Sequence, residues 1–141
     1  MEDFQKILSF TAKVPGMNHV GIIGGEPTLH PQFEEILKEV NRYCRECDTD
    51  ATIFTNGIML EKYLPNIGDR IGLLINYNNP QDMSNDAAEK LQATLEHLND
   101  LCWFDRKANI GCNVHMDCTD YSYIWNVVDK YHLNQLALNF Q

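Results

Sequence analysis

The sequence predicts an α/β fold, a partial (β/α) barrel of about five parallel strands with helices on its outer face. Apolar runs of strand length alternate along the chain with segments of helical periodicity. The connections between them are short, and strands that alternate with helices pair in parallel through crossover helices. Each βα unit takes roughly 30 residues, so the 141 residues accommodate about five strands in a single domain, residues 1–141.

The predicted elements follow in the order αβαβαβαβαβ. The first helix spans residues 2–13, and four apolar side chains lie near one of its faces: Phe4, Ile7, Leu8 and Phe10. The strands are short apolar runs that span residues 19–23, 51–55, 71–76, 110–116 and 135–140. The second helix carries an apolar stripe from Phe33 to Cys44, and a short helix spans residues 59–65. The next helix begins after the cap Ser84 and carries a stripe from Ala88 to Leu98. The last helix spans residues 121–131.

Composition and charge exclude several classes of partner. The net charge is −9 and the eleven basic residues are scattered, whereas nucleic-acid binding needs clustered Lys and Arg. No apolar run approaches the roughly 20 residues that span a bilayer, and the acidic N-terminus does not resemble a signal peptide. Five cysteines, an odd number, suit reduced thiols. We therefore expect a cytoplasmic protein that binds neither nucleic acid nor membrane.

Polar residues end the predicted strands. They are Glu26 just beyond the first strand, Asn56, Asn76, His115 or Asp117, and Asn139 or Gln141. In strand 110–116 the polarity alternates with a period of two, so that Cys112 faces the core while Asn113 and His115 face the barrel interior. A single Asn at a strand end is most simply a turn residue. Several on one face indicate a polar ligand at the carboxyl-terminal mouth, where parallel barrels bind their ligands.

The segment Gly24-Gly25-Glu26-Pro27 stands at the first of these strand ends. Two glycines allow a sharp turn and a close approach of a ligand to the backbone. Glu26 is an acceptor-only carboxylate, which suits it to bind an ammonium group. Pro27 stiffens the exit from the turn. These residues predict part of a ligand-binding site.

The segment VGIIGGEPTLHPQF, residues 20–33, resembles the second strand, glycine-rich turn and following helix of radical S-adenosylmethionine (radical SAM) enzymes. Thr55-Asn56-Gly57 resembles a common feature at the end of the next strand in that family. The resemblance implies that Gly24, Gly25 and Glu26 bind the amino group of S-adenosylmethionine. By element order it implies that Asn76 contacts the ribose, that Asn113 or His115 supplies the polar residue of the family's fifth strand, and that the backbone near Asn139 lies beside the adenine.

The family's iron–sulfur chemistry needs ligands that this sequence lacks. The resemblance implies a [4Fe–4S] cluster held by three cysteines spaced CxxxCxxC in the loop after the first strand, and the chain begins at the helix after that loop. The pair Cys44 and Cys47 has half of the spacing, and coincidence explains it best. We therefore expect no metal site and no catalytic residue within the chain, and a cluster only if an N-terminal segment is supplied.

Three interpretations of function follow. The chain is a fragment of a radical SAM enzyme core, inactive as given, whose parent cleaves S-adenosylmethionine reductively. Alternatively it is a non-catalytic binding or regulatory module. In the third interpretation it is a subunit completed by another chain, because a barrel without its first strand has an open edge that favours pairing, as in a homodimer. The substrate is not identified by any of these residues.

Overall fold

The computed structural model of the protein describes residues 1–115 and 120–140. The five strands are β1 (His19–Ile22), β2 (Asp50–Thr55), β3 (Ile71–Asn76), β4 (Ala108–Val114) and β5 (Leu136–Phe140). The four α-helices are α1 (Glu2–Thr11), α2 (Phe33–Glu46), α3 (Asn85–Asp100) and α4 (Ser122–Tyr131). Three short 3-10 helices follow the first three strands, at Pro27–Leu29, Glu61–Asn66 and Pro80–Asp82.

All five strands are parallel and adjacent in chain order, β1-β2-β3-β4-β5. The register sets residues of like character side by side, as with Ile53 opposite Leu73 and Ile75 opposite Ile110. Their side chains share a core with the inner faces of α2, α3 and α4. The helices therefore cover one face of an open, curved sheet, and the predicted partial α/β barrel is confirmed.

Alternation along each strand divides the sheet into two faces. On the helix side the buried residues of β2 to β4 are Ala51, Ile53, Ile71, Leu73, Ile75, Ala108, Ile110 and Cys112. The opposite face is less covered, and Thr52, Leu74 and Asn109 there line a cavity of about 480 Å³ near the amino-terminal half of the strands. Cys112 lies in the core, as predicted. This division leaves the inner face of the half-barrel open to a ligand.

The structure corrects several predicted boundaries. Helix α1 ends at Thr11, and although Leu8 is buried, Ile7 and Phe10 are exposed. The helix predicted over residues 59–65 is instead a 3-10 helix with Pro65 inside it, because proline cannot donate the hydrogen bond that an α-helix needs. Strand β4 begins two residues earlier than predicted, at Ala108. Asp117 and Gln141, which were predicted to end strands, and Met116, the last residue of the predicted fourth strand, lie outside the described residues.

Two further observations concern the cap of α3 and the length and polarity of the helices. Ser84 caps α3 as predicted, its side chain accepting a hydrogen bond from the backbone N–H of Ala87 at 3.3 Å. Across residues 1–115 and 120–140, every helix is too short or too polar to cross a membrane.

Gly57 fixes the turn that follows β2. Its φ is +78°, and a Cβ atom built on it would lie 2.8 Å from Cδ1 of Leu91 and 3.1 Å from Cγ2 of Ile75. The positive φ disfavours any residue with a side chain, and the two short distances leave no room for one. Helix α3 thus packs directly against the backbone of the turn, where Oγ1 of Thr94 also donates a hydrogen bond to the Gly57 carbonyl at 2.9 Å.

We predict that Gly57→Ala lowers the free energy of unfolding by about 2–4 kcal/mol, because the change combines left-handed backbone strain with overpacking. Gly16→Ala is the matched control, since Gly16 has φ +80° but no atom within 4 Å of its Cβ position. Gly16→Ala should lower the free energy of unfolding only by the cost of the backbone strain, about 1–2 kcal/mol. Urea denaturation measures both values, and equal losses would contradict the packing role of Gly57.

Candidate functional site

The carboxylate of Glu26 joins the ends of β1 and β2. Oε1 accepts hydrogen bonds from Oγ1 of Thr28 at 2.6 Å, Oγ1 of Thr55 at 2.7 Å and the backbone N–H of Thr28 at 3.2 Å. Oε2 accepts one from the backbone N–H of Asn56 at 2.7 Å. Glu26 is half-buried, while both threonines are fully buried. The side chain is thus held in one position by four donors from two neighbouring loops.

The local sequence accounts for this geometry. Glu26 is the N-cap of the 3-10 helix Pro27–Leu29, with Pro27 at the first helical position. Proline is favoured there because the missing N–H would have no partner in any case. The backbone of Glu26 is extended, with φ −141° and ψ 106°, so its side chain turns back over the helix start and reaches Thr28. A short 3-10 turn therefore presents the carboxylate to β2.

The Thr55-Asn56-Gly57 turn supplies the other half of the arrangement. Oγ1 of Thr55 donates to Glu26 and accepts the backbone N–H of Gly57 at 3.1 Å. Oδ1 of Asn56 accepts the backbone N–H of Ile58 at 3.0 Å. The polar side chains of this turn thus stabilise the turn itself, as Asx and Ser/Thr motifs do.

Gly24 and Gly25 lie in a bend after β1, as expected, but neither has the positive φ that favours glycine. Among the described residues only Gly16 and Gly57 are glycines with positive φ. A Cβ atom at Gly24 or Gly25 would meet nothing within 4 Å. The chain itself therefore does not require glycine at either position. What the two residues provide is a stretch of backbone with no side chain over it, next to a fixed carboxylate.

Glu26 retains acceptor capacity after these contacts. An ionised carboxylate offers about four lone-pair sites, and three of the four donors converge on Oε1. Oε2 has a single partner, the N–H of Asn56. By this count Oε2 can accept one further hydrogen bond, such as one from an ammonium group.

A cavity of about 510 Å³ opens at the carboxyl ends of β2, β3 and β4. Three of the predicted site residues line it, namely Asn56, Asn113 and His115. The other lining residues were not predicted: Ile58, Asn78, Asn79, Asp82, Met83 and Tyr123. Most of these belong to the loop after β3, whose richness in Asn, Asp and Pro was the available signal. The structure thus brings polar residues of three successive strand ends to one opening.

The remaining predicted residues lie outside the lining of this cavity. Oδ1 of Asn76 is 3.4 Å from the Cβ position of Gly111, so its side chain lies on the inner face beside β4. Asn139 is exposed and pairs in register with Asn113 across β4 and β5. Glu26 with Gly24 and Gly25 stands at the end of β1, beside Asn56. Asn56 is thus the residue shared between the Glu26 cluster and the cavity.

Tyrosines shape one side of this mouth. The hydroxyl of Tyr121 accepts from the backbone N–H of His115 at 3.0 Å and donates to its carbonyl at 2.8 Å. The ring of Tyr123 stacks at a tilt against Tyr77, with centroids 5.9 Å apart. Burial raises the pKa of Tyr77 above its ordinary value, which keeps that phenol neutral. The chain around His115 is therefore held by Tyr121, and the rings fix the wall of the cavity.

The cysteines of the described residues are not arranged for metal binding. No group of three or more His, Cys, Asp or Glu in residues 1–115 and 120–140 is placed to hold a metal ion. Cys44 is buried and Cys47 is exposed, at the carboxyl end of α2. Burial raises the pKa of Cys44 and brings that of Cys112 to about 11, so both are protonated thiols of the core. The described residues therefore do not fit an iron–sulfur cluster.

A larger cavity, of about 600 Å³, lies at the opposite end of the strands. Its lining includes Leu64, Trp103 and Lys107. The ammonium group of Lys107 lies 3.8 Å from the centroid of the Trp103 ring and 3.3 Å from the Gly68 carbonyl. Residues at the amino-terminal end of parallel barrel strands usually serve stability, whereas ligands bind at the other end. We therefore place the candidate site at the mouth, despite the smaller volume there.

Comparison with known proteins gives matches in sequence and in structure. No family model matches the chain. Over 54 residues it is 37% identical to a probable GTP 3',8-cyclase from Methanococcus aeolicus; the match covers 38% of this chain and 18% of that protein. A structure of TYW1 with a lysine-pyruvate adduct bound superposes with a TM-score of 0.69 and 16% identity, over 98% of this chain and 53% of that one. A crystal structure of archaeal TYW1 superposes with a TM-score of 0.61 and 18% identity, over 96% of this chain and 51% of that one.

The chain thus spans about half the length of the solved structures that it matches. Both structures share its fold. The sequence match to the cyclase covers a smaller part of both proteins.

We predict that Glu26→Gln lowers the free energy of unfolding by about 1–2 kcal/mol, because the amide nitrogen cannot accept and leaves at least one donor unpaired. Glu89→Gln is the matched control, since Glu89 is exposed on α3; it should change stability by less than about 0.5 kcal/mol. Urea denaturation of both variants gives the comparison. Equal values would mean that the four hydrogen bonds to Glu26 do not stabilise the fold.

Proposed function

We propose that this chain is part of a radical SAM enzyme core and that its mouth binds S-adenosylmethionine. The observation that carries the proposal is the fixed carboxylate of Glu26, held by Thr28, Thr55 and Asn56 with Oε2 left able to accept. An ammonium group is the natural partner of such an oxygen, because charge-assisted hydrogen bonds to a carboxylate are about twice as strong as neutral ones. No side chain stands over the backbone of Gly24 and Gly25, which leaves room for the amino acid end of the ligand.

The polar residues of the mouth then meet the nucleoside end. Asn56, Asn113 and His115 line the cavity next to the Glu26 cluster, and their amides and imidazole offer both donors and acceptors to hydroxyl groups and ring nitrogens. Asn76 on the inner face is assigned to the ribose, and the backbone at Asn139 to the adenine. Pro27 contributes by fixing the turn rather than by contact. In this arrangement the chain binds and orients the ligand, and no residue of it is assigned a catalytic role.

A [4Fe–4S] cluster, if a CxxxCxxC segment held one in the whole enzyme, would supply the electron for reductive cleavage of S-adenosylmethionine. The described residues offer no ligands for that cluster. We therefore propose that the chain as given binds the ligand without turning it over. The substrate is left unassigned, because the relatives carry the names of two different enzymes. We also propose that the chain works in the cytoplasm, because that reducing compartment suits free thiols.

Calorimetry with two ligands tests the proposal. We expect the chain to bind S-adenosylmethionine, and also methylthioadenosine, which keeps the nucleoside but lacks the amino acid. Glu26→Gln should weaken S-adenosylmethionine binding about tenfold, since a hydrogen bond to a charged group contributes about 1.5–3 kcal/mol. The same variant should weaken methylthioadenosine binding much less, because that ligand has no ammonium group and only the position of Asn56 would be affected.

Glu89→Gln serves as the control for both ligands, and circular dichroism checks that each variant is folded. If neither ligand binds at millimolar concentration, the chain has no such pocket. If Glu26→Gln weakens both ligands equally, Glu26 shapes the cavity and does not hold the amino group.

A further inference from the structure

The cavity of about 600 Å³ at the amino-terminal end of the strands has no part in the proposed binding of S-adenosylmethionine. The 3-10 helix Glu61–Asn66 and the end of α3 form its walls, together with the segments that lead into β3 and β4. Its volume is in the range of small-molecule sites, about 300–1,000 Å³. Because β4 is seven residues long, roughly 20 Å separates this cavity from the mouth. A ligand in it would not touch a ligand at the mouth.

The walls of this cavity come from the middle of the chain. Its lining residues all lie between positions 64 and 107, close to the starts of β3 and β4. Among the described residues that line it, none belongs to β1 or β5, the end strands of the sheet. The composition of the walls therefore does not depend on what lies beside either edge of the sheet.

Lys107 is a half-buried cation of this lining. Its ammonium group donates a hydrogen bond to the Gly68 carbonyl at 3.3 Å and lies 3.8 Å from the centroid of the Trp103 ring. In the part of the chain that the structure describes, the ion pairs involve other cations. Burial lowers the pKa of Lys107, which shows that its charge is partly desolvated. An ammonium group has three donors, so Lys107 can still donate to a ligand in the cavity.

Arg106 is the second cation of the lining. Its Nε donates to the Cys102 carbonyl at 3.5 Å and its Nη2 to the Leu101 carbonyl at 3.1 Å. These bonds satisfy carbonyls just beyond the end of α3 and fix the guanidinium beside the cavity. Among the described residues Nη1 has no hydrogen-bond partner. A guanidinium has five donors, so Arg106 can bind an anion without giving up its contacts to the backbone.

The charges of the lining favour an anionic ligand. With His97 counted as neutral, Lys107 and Arg106 stand against one carboxylate, that of Asp69. The lining therefore carries a net positive charge, whereas the chain as a whole carries −9. Opposite charge between a ligand and its site gives specificity. A ligand with a single negative charge would balance the lining.

The other walls of the cavity are apolar. They are formed by Leu64, Pro65, Ile67 and Leu101. Leu64 and Ile67 belong to the hydrophobic core, and Leu101 is 37% exposed. An inorganic anion would leave this surface in contact with water, whereas a ligand with an apolar body would cover it, which is favourable. The cavity thus combines two cations with an apolar surface.

We propose that this cavity binds a small amphipathic carboxylate, a molecule with one carboxylate group and an apolar alkyl or aryl body. The carboxylate accepts hydrogen bonds from Lys107 and Arg106, which are charge-assisted and therefore strong. The apolar body packs against Leu64, Ile67 and Leu101. This second site is separate from the mouth, and it does not rest on the binding of S-adenosylmethionine there.

Calorimetry with phenylbutyrate and with phenylbutylamine tests this proposal. The two probes share an apolar body and differ in the sign of their charge. We expect phenylbutyrate to bind at millimolar concentration or below, and the amine to bind at least about tenfold more weakly, because it places a cation beside Lys107 and Arg106. Added S-adenosylmethionine should leave the dissociation constant of phenylbutyrate unchanged. Displacement of phenylbutyrate by S-adenosylmethionine would place the probe at the mouth and overturn the proposal.

Three variants locate the phenylbutyrate site. Lys107→Met should raise the dissociation constant about tenfold, because it removes a charged donor. Lys90→Met is the matched control, since it removes the same charge from α3, where Lys90 pairs with Asp86 outside the cavity; it should leave binding unchanged. Asp69→Asn should lower the dissociation constant about two- to fivefold, because it removes the carboxylate of the lining.

The gain in affinity of Asp69→Asn guards against misreading a damaged fold, because a misfolded variant would not bind more tightly. Circular dichroism checks that all three variants are folded. The proposal is overturned if phenylbutyrate does not bind at millimolar concentration, or if both probes bind equally. Equal effects of Lys107→Met and Lys90→Met would also overturn it, since the probe would then respond to net charge and not to this cavity.

Discussion

The hydrogen bonding of one carboxylate, that of Glu26, organises the end of the half-barrel on which everything else at the mouth depends. Adjacent parallel strands are joined by their ladder, but their loops leave in the same direction with nothing to hold them together. Here Glu26 at the end of β1 receives donors from the loop after β2. The position of Asn56, and hence the near side of the cavity, follows from that connection.

The two faces of the sheet have different roles, because one is buried under the helices and the other is open. Apolar residues at alternate positions of β2 to β4 are buried under α2, α3 and α4, which leaves the intervening positions free to be polar. Gly57 lets α3 approach the turn closely enough for Thr94 to bond its carbonyl. Tight packing on the helix side thus fixes the turns at the strand ends, and these turns set the shape of the opening on the other side. Different residues form the packed face and the opening.

Much of the fold and part of the candidate site could be predicted from the sequence. The order of elements followed from apolar periodicity, and Glu26 and Asn56 stood out as polar residues at strand ends. Thr28 and Thr55 could not be recognised as the donors that hold Glu26, because one follows it by two residues and the other lies 29 residues away, and nothing in spacing joins them. Ile7 and Phe10 were assigned to a buried face because periodicity shows that a helix has an apolar side but not whether anything covers it. The bend at Gly24 and Gly25 was predicted, but the absence of a positive φ at either residue was not, since composition does not reveal backbone dihedral angles.

The placement of Glu26 also bears on how such a sequence changes over evolutionary time. A residue that only binds a ligand is free to drift once the ligand is no longer used. Glu26 also accepts four hydrogen bonds from its own chain, so selection for a folded protein alone would retain it, along with Thr28 and Thr55. A descendant that no longer bound a ligand would therefore keep the same turn, because the turn is also part of the architecture.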